Sequence, residues 1–230
     1  MKLIHKFKSP NYNDRKSNNI EFIIIHYTAL ISISQSIKHL CLKDNKVSSH
    51  YVISQNGKIF NLVSEDKRAW HAGLSYWKGE TDINSKSIGI ELDYSLDKKN
   101  NKFSKDLMKS LIILLKNLIK KYSIKPENIL GHSDISPYRK KDPGEFFPWH
   151  LLEKKKLAYE VKKFEELVKL NTIIRKWNLK NKFNSNKKKL LFMLDYIGYD
   201  ISLADKKKKY YEKLILNYSN RFQHYNDNKY

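Results

Sequence analysis

One histidine and one aspartate lie ten positions apart in the segment Gly131–Gly144, which has the sequence GHSDISPYRKKDPG. A proline inside this segment and a Pro–Gly pair directly after the aspartate favour turns over a helix, so His132 and Asp142 are predicted to lie on a loop. Imidazole and carboxylate groups are common ligands of a catalytic zinc ion, which takes three protein ligands. Lys140 lies two residues before Asp142, so in an extended segment both side chains would point to the same side.

The third ligand must come from another part of the chain, and His26 is the best candidate. It ends the run Ile20–His26, whose β-branched residues predict a buried strand that delivers its last side chain at the carboxyl end of a sheet. Taken alone, a histidine at a strand end is more often a hydrogen-bonded core residue than a ligand. His50 and His71 also remain candidate ligands, because periodicity does not choose among histidines.

Glu91 lies in a second predicted strand, residues 87–94, on the face opposite to that strand's apolar side chains. Three protein ligands leave the fourth position of zinc to water, whose pKa the metal lowers. Hydrolysis then requires a base for the water's proton and a positive charge near the oxyanion. Glu91 suits the first role and Lys140 the second. Trp70 and Trp77 are candidates to pack against a ring or peptide of the substrate.

Strands and helices alternate around these residues. Ser32 and Ser104 are predicted N-caps of two amphipathic helices, and Asn56–Gly57 predicts the turn of a β-hairpin. Residues 63–86 are predicted to form a long irregular loop, and loops of this length are usually functional. The pattern predicts an α/β fold with a mixed sheet.

Two further segments do not follow this alternating pattern. Residues 10–19 are polar and turn-rich, with no predicted core role. Apolar stripes at helical spacing run through residues 157–177, 188–197 and 205–219. We therefore predict a catalytic domain over residues 1–154, and a helical linker with a small three-helix domain over residues 155–230.

Composition restricts the class of protein. The 230 residues carry a formal net charge of +21, with 45 basic and 24 acidic side chains. The lysines are scattered without arginine clusters or a base-reading motif, so no nucleic-acid partner is predicted, although the charge favours acidic partners. The single cysteine, Cys41, excludes an intrachain disulfide framework. No stretch predicts a membrane span, and residues 1–10 lack an apolar signal segment, which favours the cytoplasm with the periplasm as the alternative.

Five short blocks carry a resemblance to a known family. They are His26-Tyr27-Thr28, the VSSHY block at 47–51, the RAWHAG block at 68–73, the SIGIEL block at 87–92, and the GHSDI block at 131–135 with Lys140 and Asp142-Pro143-Gly144. In this order and near these spacings they resemble the zinc-dependent N-acetylmuramoyl-L-alanine amidases of the type-2 family, the bacterial AmpD and AmiD enzymes. The resemblance implies their fold, shared with peptidoglycan-recognition proteins and T7 lysozyme, in which helices flank a central mixed sheet.

The resemblance also implies a role for each matching residue. It implies zinc ligands at His26, His132 and Asp142, a general base at Glu91, an oxyanion-stabilising lysine at Lys140, and a substrate-binding segment at Ala69, Trp70 and His71. The implied reaction is hydrolysis of the amide between the lactyl group of N-acetylmuramic acid and the L-alanine of the stem peptide. The implied substrates are muropeptides, with anhydro or reducing-end sugars, or peptidoglycan itself, and the implied role is cell-wall recycling or turnover.

Two features depart from the family pattern. Asp82 stands where AmpD enzymes carry an arginine associated with the anhydro sugar, so strict anhydro specificity is not implied. The C-terminal helices are similar to the three-helix peptidoglycan-binding-like domain of AmiD enzymes but lack its Gly/Asp-rich ending. The resemblance is therefore closer to AmiD, with helices that bind peptidoglycan or mediate a homodimer. The alternative function is a non-catalytic peptidoglycan-recognition module, which the complete set of five site residues disfavours.

Overall fold

The computed structural model describes residues 2–17, 19–96, 102–160, 175–176, 179–183 and 185–222. The strands of its main sheet are β1 (Leu3–Ile4), β3 (Phe22–Tyr27), β4 (Tyr51–Ile53), β5 (Ile59–Asn61), β7 (Ser87–Leu92) and β8 (Ile129–Gly131). They lie in the order β1-β5-β4-β7-β3-β8. The β4–β5 pair is antiparallel and the other neighbours are parallel. A separate antiparallel ribbon joins β2 (Tyr12–Asp14) to β6 (Lys67–Ala69).

The described helices lie on both sides of this sheet. They are α1 (Ile33–Cys41), α2 (Ile83–Lys86), α3 (Lys105–Tyr122), α4 (His132–Ile135), α5 (Trp149–Glu153), α6 (Asn186–Ile197), α7 (Ser202–Lys206) and α8 (Lys208–Phe222). Short 3-10 turns occur at Lys43–Asn45 and Pro126–Asn128. None of the helices in the described part of the chain is long and apolar enough to cross a membrane.

The predicted caps, hairpin and α/β class are confirmed. The Ser32 hydroxyl accepts from the Gln35 N–H at the start of α1, and Ser104 does the same for Leu107 at the start of α3. Strands β4 and β5 form the predicted hairpin around Asn56–Gly57.

Both faces of β3 are buried, which explains why its sequence is a continuous apolar run rather than an alternating one. Ile23 and Ile25 pack into a cluster with the apolar stripe of α3, whereas Phe22 and Ile24 pack into a cluster on the opposite face. The strand that carries His26 is therefore fixed between two layers.

The C-terminal helices supply most of that second layer. Leu191 and Leu194 of α6, Leu214 of α8, and Tyr199 between these helices are buried in the same cluster as Ile24. The helices predicted near 188–197 and 205–219 are confirmed, whereas most of the stripe at 157–177 lies outside the described residues. The domain boundary after residue 154 and the homodimer stay predictions.

The described residues of segment 10–19 contribute no side chain to the hydrophobic clusters, but the segment has a structural role that the sequence did not indicate. It contains β2 and also Arg15, whose guanidinium donates to the backbone carbonyls of Glu65, Ser85 and Ser87. Backbone carbonyl groups that are shielded from water need hydrogen-bond donors, and the polar side chains of this segment supply them.

Two loop predictions also need correction. Residues 63–86 are not irregular throughout, since they contain β6 and α2. The segment after β8 does not begin as a loop, because His132 opens the one-turn helix α4. Asp134 stabilises this turn by accepting from the backbone N–H of Gly131 at 2.7 Å. This capping hydrogen bond favours a helical turn at His132, although the prolines that follow favour a loop.

Candidate active site

Adjacent parallel strands bring the candidate residues to one edge of the sheet. In the pairing of β3 with β7, His26 lies opposite Glu91. In the pairing of β3 with β8, Ile25 lies opposite Gly131, so His132 follows at the same level as His26. Both histidines and the glutamate therefore meet at the carboxyl ends of their strands, where α/β sheets usually bind ligands.

Asp142 completes a compact cluster of ligand atoms. The Nδ1 atoms of His26 and His132 are 3.0 Å apart, and the Oδ2 atom of Asp142 is 3.1 Å from the first and 3.0 Å from the second. All three side chains are buried. Tetrahedral zinc with bonds near 2.0–2.1 Å separates its ligand atoms by roughly 3.3 Å, so this triangle has the dimensions of a metal site.

The second nitrogen of His132 fixes its tautomer. Its Nε2 atom lies 3.0 Å from the backbone carbonyl of Ala72. Because a carbonyl only accepts, Nε2 carries the proton and Nδ1 presents a lone pair toward the cluster. The Arg139 guanidinium donates to the same carbonyl at 2.9 Å and holds it in place.

A chain of hydrogen bonds fixes the tautomer of His26 in the same way. The Ser87 hydroxyl donates to the Ile83 carbonyl at 2.6 Å, so it accepts from Nε2–H of His71 at 3.2 Å. The other nitrogen of His71 is then an acceptor, and Nε2–H of His26 donates to it at 3.1 Å. The Nδ1 atom of His26 is left with a lone pair directed at the cluster.

Two imidazole lone pairs and a carboxylate oxygen thus converge with no proton between them, an arrangement that requires a cation. Burial, and then the neighbouring His132, lower the pKa of His26 to about 4, so a proton does not fill this role at neutral pH. The residues therefore fit a metal ion.

Glu91 lies beside this cluster in an environment suited to a base. Its side chain is half-buried, and Oε2 has no hydrogen-bond partner among the described residues. Burial, followed by the charge of Asp142, raises the pKa of Glu91 to about 8, while Lys140 opposes the rise. A bound cation would act in the same direction as Lys140 and return Glu91 to the carboxylate form at neutral pH.

A pocket of about 250 Å³ gives access to these groups, and its lining includes Glu91, Lys140 and Trp70 with the three residues of the cluster. The indole N–H of Trp70 donates to the Asn13 side chain of β2 at 2.7 Å, which orients the ring at the rim. His71 also reaches the pocket, although both of its nitrogens are engaged by His26 and Ser87.

Other predicted positions have different surroundings. Ala69 is buried in β6, where it pairs with Tyr12, and its substrate-binding role stays a prediction. Trp77 was wrongly expected to face the substrate, since it is buried with its ring centroid 4.9 Å from that of Tyr199. Asp82 is paired with Arg68 at 2.8 Å.

His50, the remaining alternative ligand, uses both ring nitrogens for hydrogen bonds to the backbone. Its Nδ1 accepts from the Gly89 N–H at 3.0 Å, so the protonated Nε2 donates to the Lys67 carbonyl, also at 3.0 Å. Burial, and then Arg15, lower the pKa of His50 to about 3. This histidine therefore braces β7 instead of contributing to the metal cluster.

Sequence reasoning missed several supporting groups. Ser87 and Ala72 lie within the motif blocks at 87–92 and 68–73. Their position next to the predicted site residues could therefore have indicated a supporting role. Asn13 lies far from every block, and no local pattern indicates that it holds Trp70.

Comparison with known proteins agrees with this geometry. The family model described as N-acetylmuramoyl-L-alanine amidase matches residues 16–145. The chain belongs to this amidase family. The predicted fold class is also confirmed by a solved structure, that of AmiD from Escherichia coli in complex with the substrate anhydro-N-acetylmuramic acid-L-Ala-D-gamma-Glu-L-Lys. The two structures superpose with a TM-score of 0.74 and 30% sequence identity. The match covers 96% of this chain and 84% of the AmiD chain.

Two curated amidases show how far the sequence similarity extends. AmiD of Escherichia coli (strain K12) is 43% identical over an alignment of 146 residues that covers 58% of this chain and 52% of that protein. AmpD of Haemophilus influenzae, named a 1,6-anhydro-N-acetylmuramyl-L-alanine amidase, is 42% identical over 105 residues, 45% of this chain and 55% of that protein. The longer match confirms the closer resemblance to AmiD. The chain spans about half the length of the curated relatives it matches.

Proposed function

We propose that this amidase-family chain is a zinc-dependent N-acetylmuramoyl-L-alanine amidase. It hydrolyses the amide between the lactyl group of N-acetylmuramic acid and L-alanine in muropeptides or peptidoglycan, during cell-wall recycling or turnover. The observation that carries the proposal is the cluster of His26, His132 and Asp142, whose free lone pairs converge within 3.0–3.1 Å next to Glu91 in one pocket.

The metal ligands in this proposal are His26, His132 and Asp142. When bound, zinc supplies a Lewis acid that acidifies water and polarises a carbonyl group. The two histidines hold their Nδ1 lone pairs ready because Ala72 and His71 accept the protons on the opposite nitrogens. No tautomer change is therefore needed when the metal binds.

Glu91 acts as the general base. Its unpartnered Oε2 and its position opposite His26 allow it to take the proton of the attacking water. The same carboxyl group, now protonated, then donates to the leaving nitrogen of L-alanine. Its shielded surroundings favour both steps, because a pKa near neutrality makes proton uptake and release comparably easy.

Lys140 stabilises the oxyanion that forms as water adds to the lactyl carbonyl. It lines the same pocket as Glu91, so its ammonium group can lie close to the developing negative charge. Trp70, fixed by Asn13 at the pocket rim, offers an apolar ring face for the sugar or the stem peptide.

The sugar specificity follows from the surroundings of Asp82. Because this carboxylate is engaged by Arg68 at 2.8 Å and by the Ser85 hydroxyl at 2.8 Å, the position offers no free cation to an anhydro sugar. We therefore propose that anhydro and reducing-end muropeptides are both cleaved. The anhydro ligand in the AmiD complex supports the first of these substrates.

Digestion of purified muropeptides tests the proposal. The zinc-loaded protein is expected to release free stem peptide, detected by mass spectrometry, from anhydro and reducing-end substrates alike. The same protein treated with EDTA should release none, and readdition of zinc should restore cleavage. Tight binding without cleavage by the zinc-loaded protein would instead support the non-catalytic recognition module.

A further inference from the structure

The turn that carries Lys140 is held by side chains from the last described helix. The Asn217 side-chain amide donates to the backbone carbonyls of Pro137 at 2.8 Å and Lys140 at 3.0 Å. Between them, the carbonyl of Tyr138 accepts from the ammonium of Lys213 at 3.0 Å. Loop carbonyls need partners when they are shielded from water, and here α8 supplies them.

These donors form one stripe on α8. Lys213, Asn217 and Arg221 are spaced four residues apart, so they lie on the same face of the helix. Asn217 and Arg221 are only 4% and 3% exposed. Lys213 is exposed, at the edge of this face. All three side chains face the segment between His132 and Asp142, since Lys213 and Asn217 reach its backbone carbonyls and Arg221 approaches Asp134.

Arg221 engages the other end of the same segment. Its guanidinium donates to Glu153 at 3.0 Å, covers the Trp149 ring at 3.6 Å and lies 3.9 Å from the Asp134 carboxylate. Asp134 is two residues after His132 and accepts from the Tyr199 hydroxyl at 2.7 Å.

The short helix α7 adds a third anchor between these two. The Tyr138 hydroxyl donates to the Asp200 carbonyl at 2.5 Å and accepts from the Ala204 N–H at 3.2 Å. The segment is therefore tied at its start by Arg221, through Asp134, and at its turn by α7 and Asn217.

We propose that Asn217 is a positioning residue of the active site: α8 fixes the backbone at Lys140 and thereby sets the place of the Lys140 ammonium in the pocket. This inference rests on the proposed role of Lys140 in hydrolysis. On this inference the C-terminal helices also fix the active-site turn that carries Lys140, in addition to the peptidoglycan binding or dimerisation predicted for them. The ligand histidines are held by separate contacts, and the backbone carbonyl of Asp142 accepts from the Ser133 N–H at 2.8 Å. We therefore expect Asn217 to act on turnover and to leave metal binding intact.

Asn217→Leu tests this inference, because leucine has the same number and branching of side-chain heavy atoms but no donor. The control is Leu216→Ala, a change at a neighbouring position that is 53% exposed on the same helix. In zinc-loaded protein, amide hydrogen exchange across residues 136–141 is expected to be roughly tenfold faster or more in Asn217→Leu, as the loss of two hydrogen bonds implies. The control should match the wild type.

Steady-state kinetics with a small soluble muropeptide provides the second readout. At a temperature where every variant is folded, kcat of Asn217→Leu is expected to fall roughly tenfold or more, while KM and zinc content stay near the wild-type values. Asn217→Ala is the second variant, in case leucine disturbs the packing. A role confined to stability would lower the melting temperature and leave kcat per folded molecule unchanged, which would overturn the inference.

The two readouts separate this inference from the proposed function. If the wild type fails to cleave any muropeptide, the amidase proposal fails, while the exchange measurement still decides whether Asn217 fixes the turn. If the wild type cleaves muropeptides but amide exchange at residues 136–141 is the same in the wild type and in Asn217→Leu, only the positioning role of Asn217 is refuted.

Discussion

His26 and Glu91 are direct register partners on the parallel strands β3 and β7. Partners in register point to the same face of a sheet, so one strand pair places a proposed metal ligand beside the proposed base. Gly131 pairs with Ile25 on the other side of β3, which brings His132 to the same edge. The spacing of the site is thus set by hydrogen bonds between strands, which are rigid, and only Asp142 and Lys140 depend on a loop.

Loss of one ligand should remove the metal. We expect His26→Ala to lower zinc affinity by at least about 100-fold, since only one imidazole and one carboxylate would remain. Zinc per protein after gel filtration, measured by elemental analysis, checks this expectation. His39→Ala, on α1 outside the cluster, is the matched control and should keep its zinc. Equal zinc in the two variants would contradict the ligand assignment.

The close approach of His71 to β7 leads to a second prediction. A Cβ atom at Gly89 would lie only 2.5 Å from the His71 ring, so Gly89→Ala must displace that ring from His26. Because the outer partner of a ligand histidine orients it, zinc affinity should fall by roughly 10–100-fold.

Gly79→Ala is the control for this effect. A Cβ there meets no atom within 4 Å, but its φ of +85° strains an alanine. This control should lose some stability and retain its zinc affinity. If both variants bind zinc as the wild type does, His71 does not position His26.

The buried carboxyl group of Glu91 predicts a pH-dependent stability of the zinc-free protein. Its pKa is about 8 in the folded state and about 4.3 when unfolded. Between these values the folded state holds a proton that the unfolded state has lost, so this group makes the free energy of unfolding fall as pH rises from about 5 to about 8. We expect a contribution of roughly 3 kcal/mol over that window, since one pKa unit is worth about 1.4 kcal/mol.

Urea unfolding of zinc-free wild type and Glu91→Gln at several pH values measures this contribution. The buried histidines have lowered pKa values and act in the opposite direction, so only the difference between the two proteins is informative. That difference should grow with pH and shrink when zinc is added. Glu212→Gln, at an exposed position on α8, should show no such trend, and a pH-independent difference for Glu91→Gln would contradict the assigned environment.

The sequence was sufficient for the parts of the site that follow strand periodicity. His26, Glu91 and His132 lie at or next to strand ends, so the pattern of apolar residues is enough to locate them. The wider resemblance then supplied the choice among four histidines, which periodicity left open. Their arrangement in the structure agrees with that choice.

The contacts between remote segments could not be predicted in this way. Asn217 and Asn13 are ordinary polar residues in their own surroundings, and their importance comes from partners 77 and 57 positions away. Arg15 was overlooked for the same reason, since its local sequence resembles a surface turn. Long-range hydrogen bonds to backbone carbonyls leave no local pattern, because any side chain with a donor can form them.

Turnover by Glu91→Gln tests the central claim most directly. The zinc-loaded variant should bind muropeptide and keep its metal, while kcat falls by about 100-fold or more, the contribution expected of a general base. Asp93→Asn is the matched control, because this half-buried carboxylate two residues along the chain accepts from the Gln55 N–H outside the metal cluster, and it should turn over like the wild type. Unchanged release of stem peptide by zinc-loaded Glu91→Gln would contradict the account.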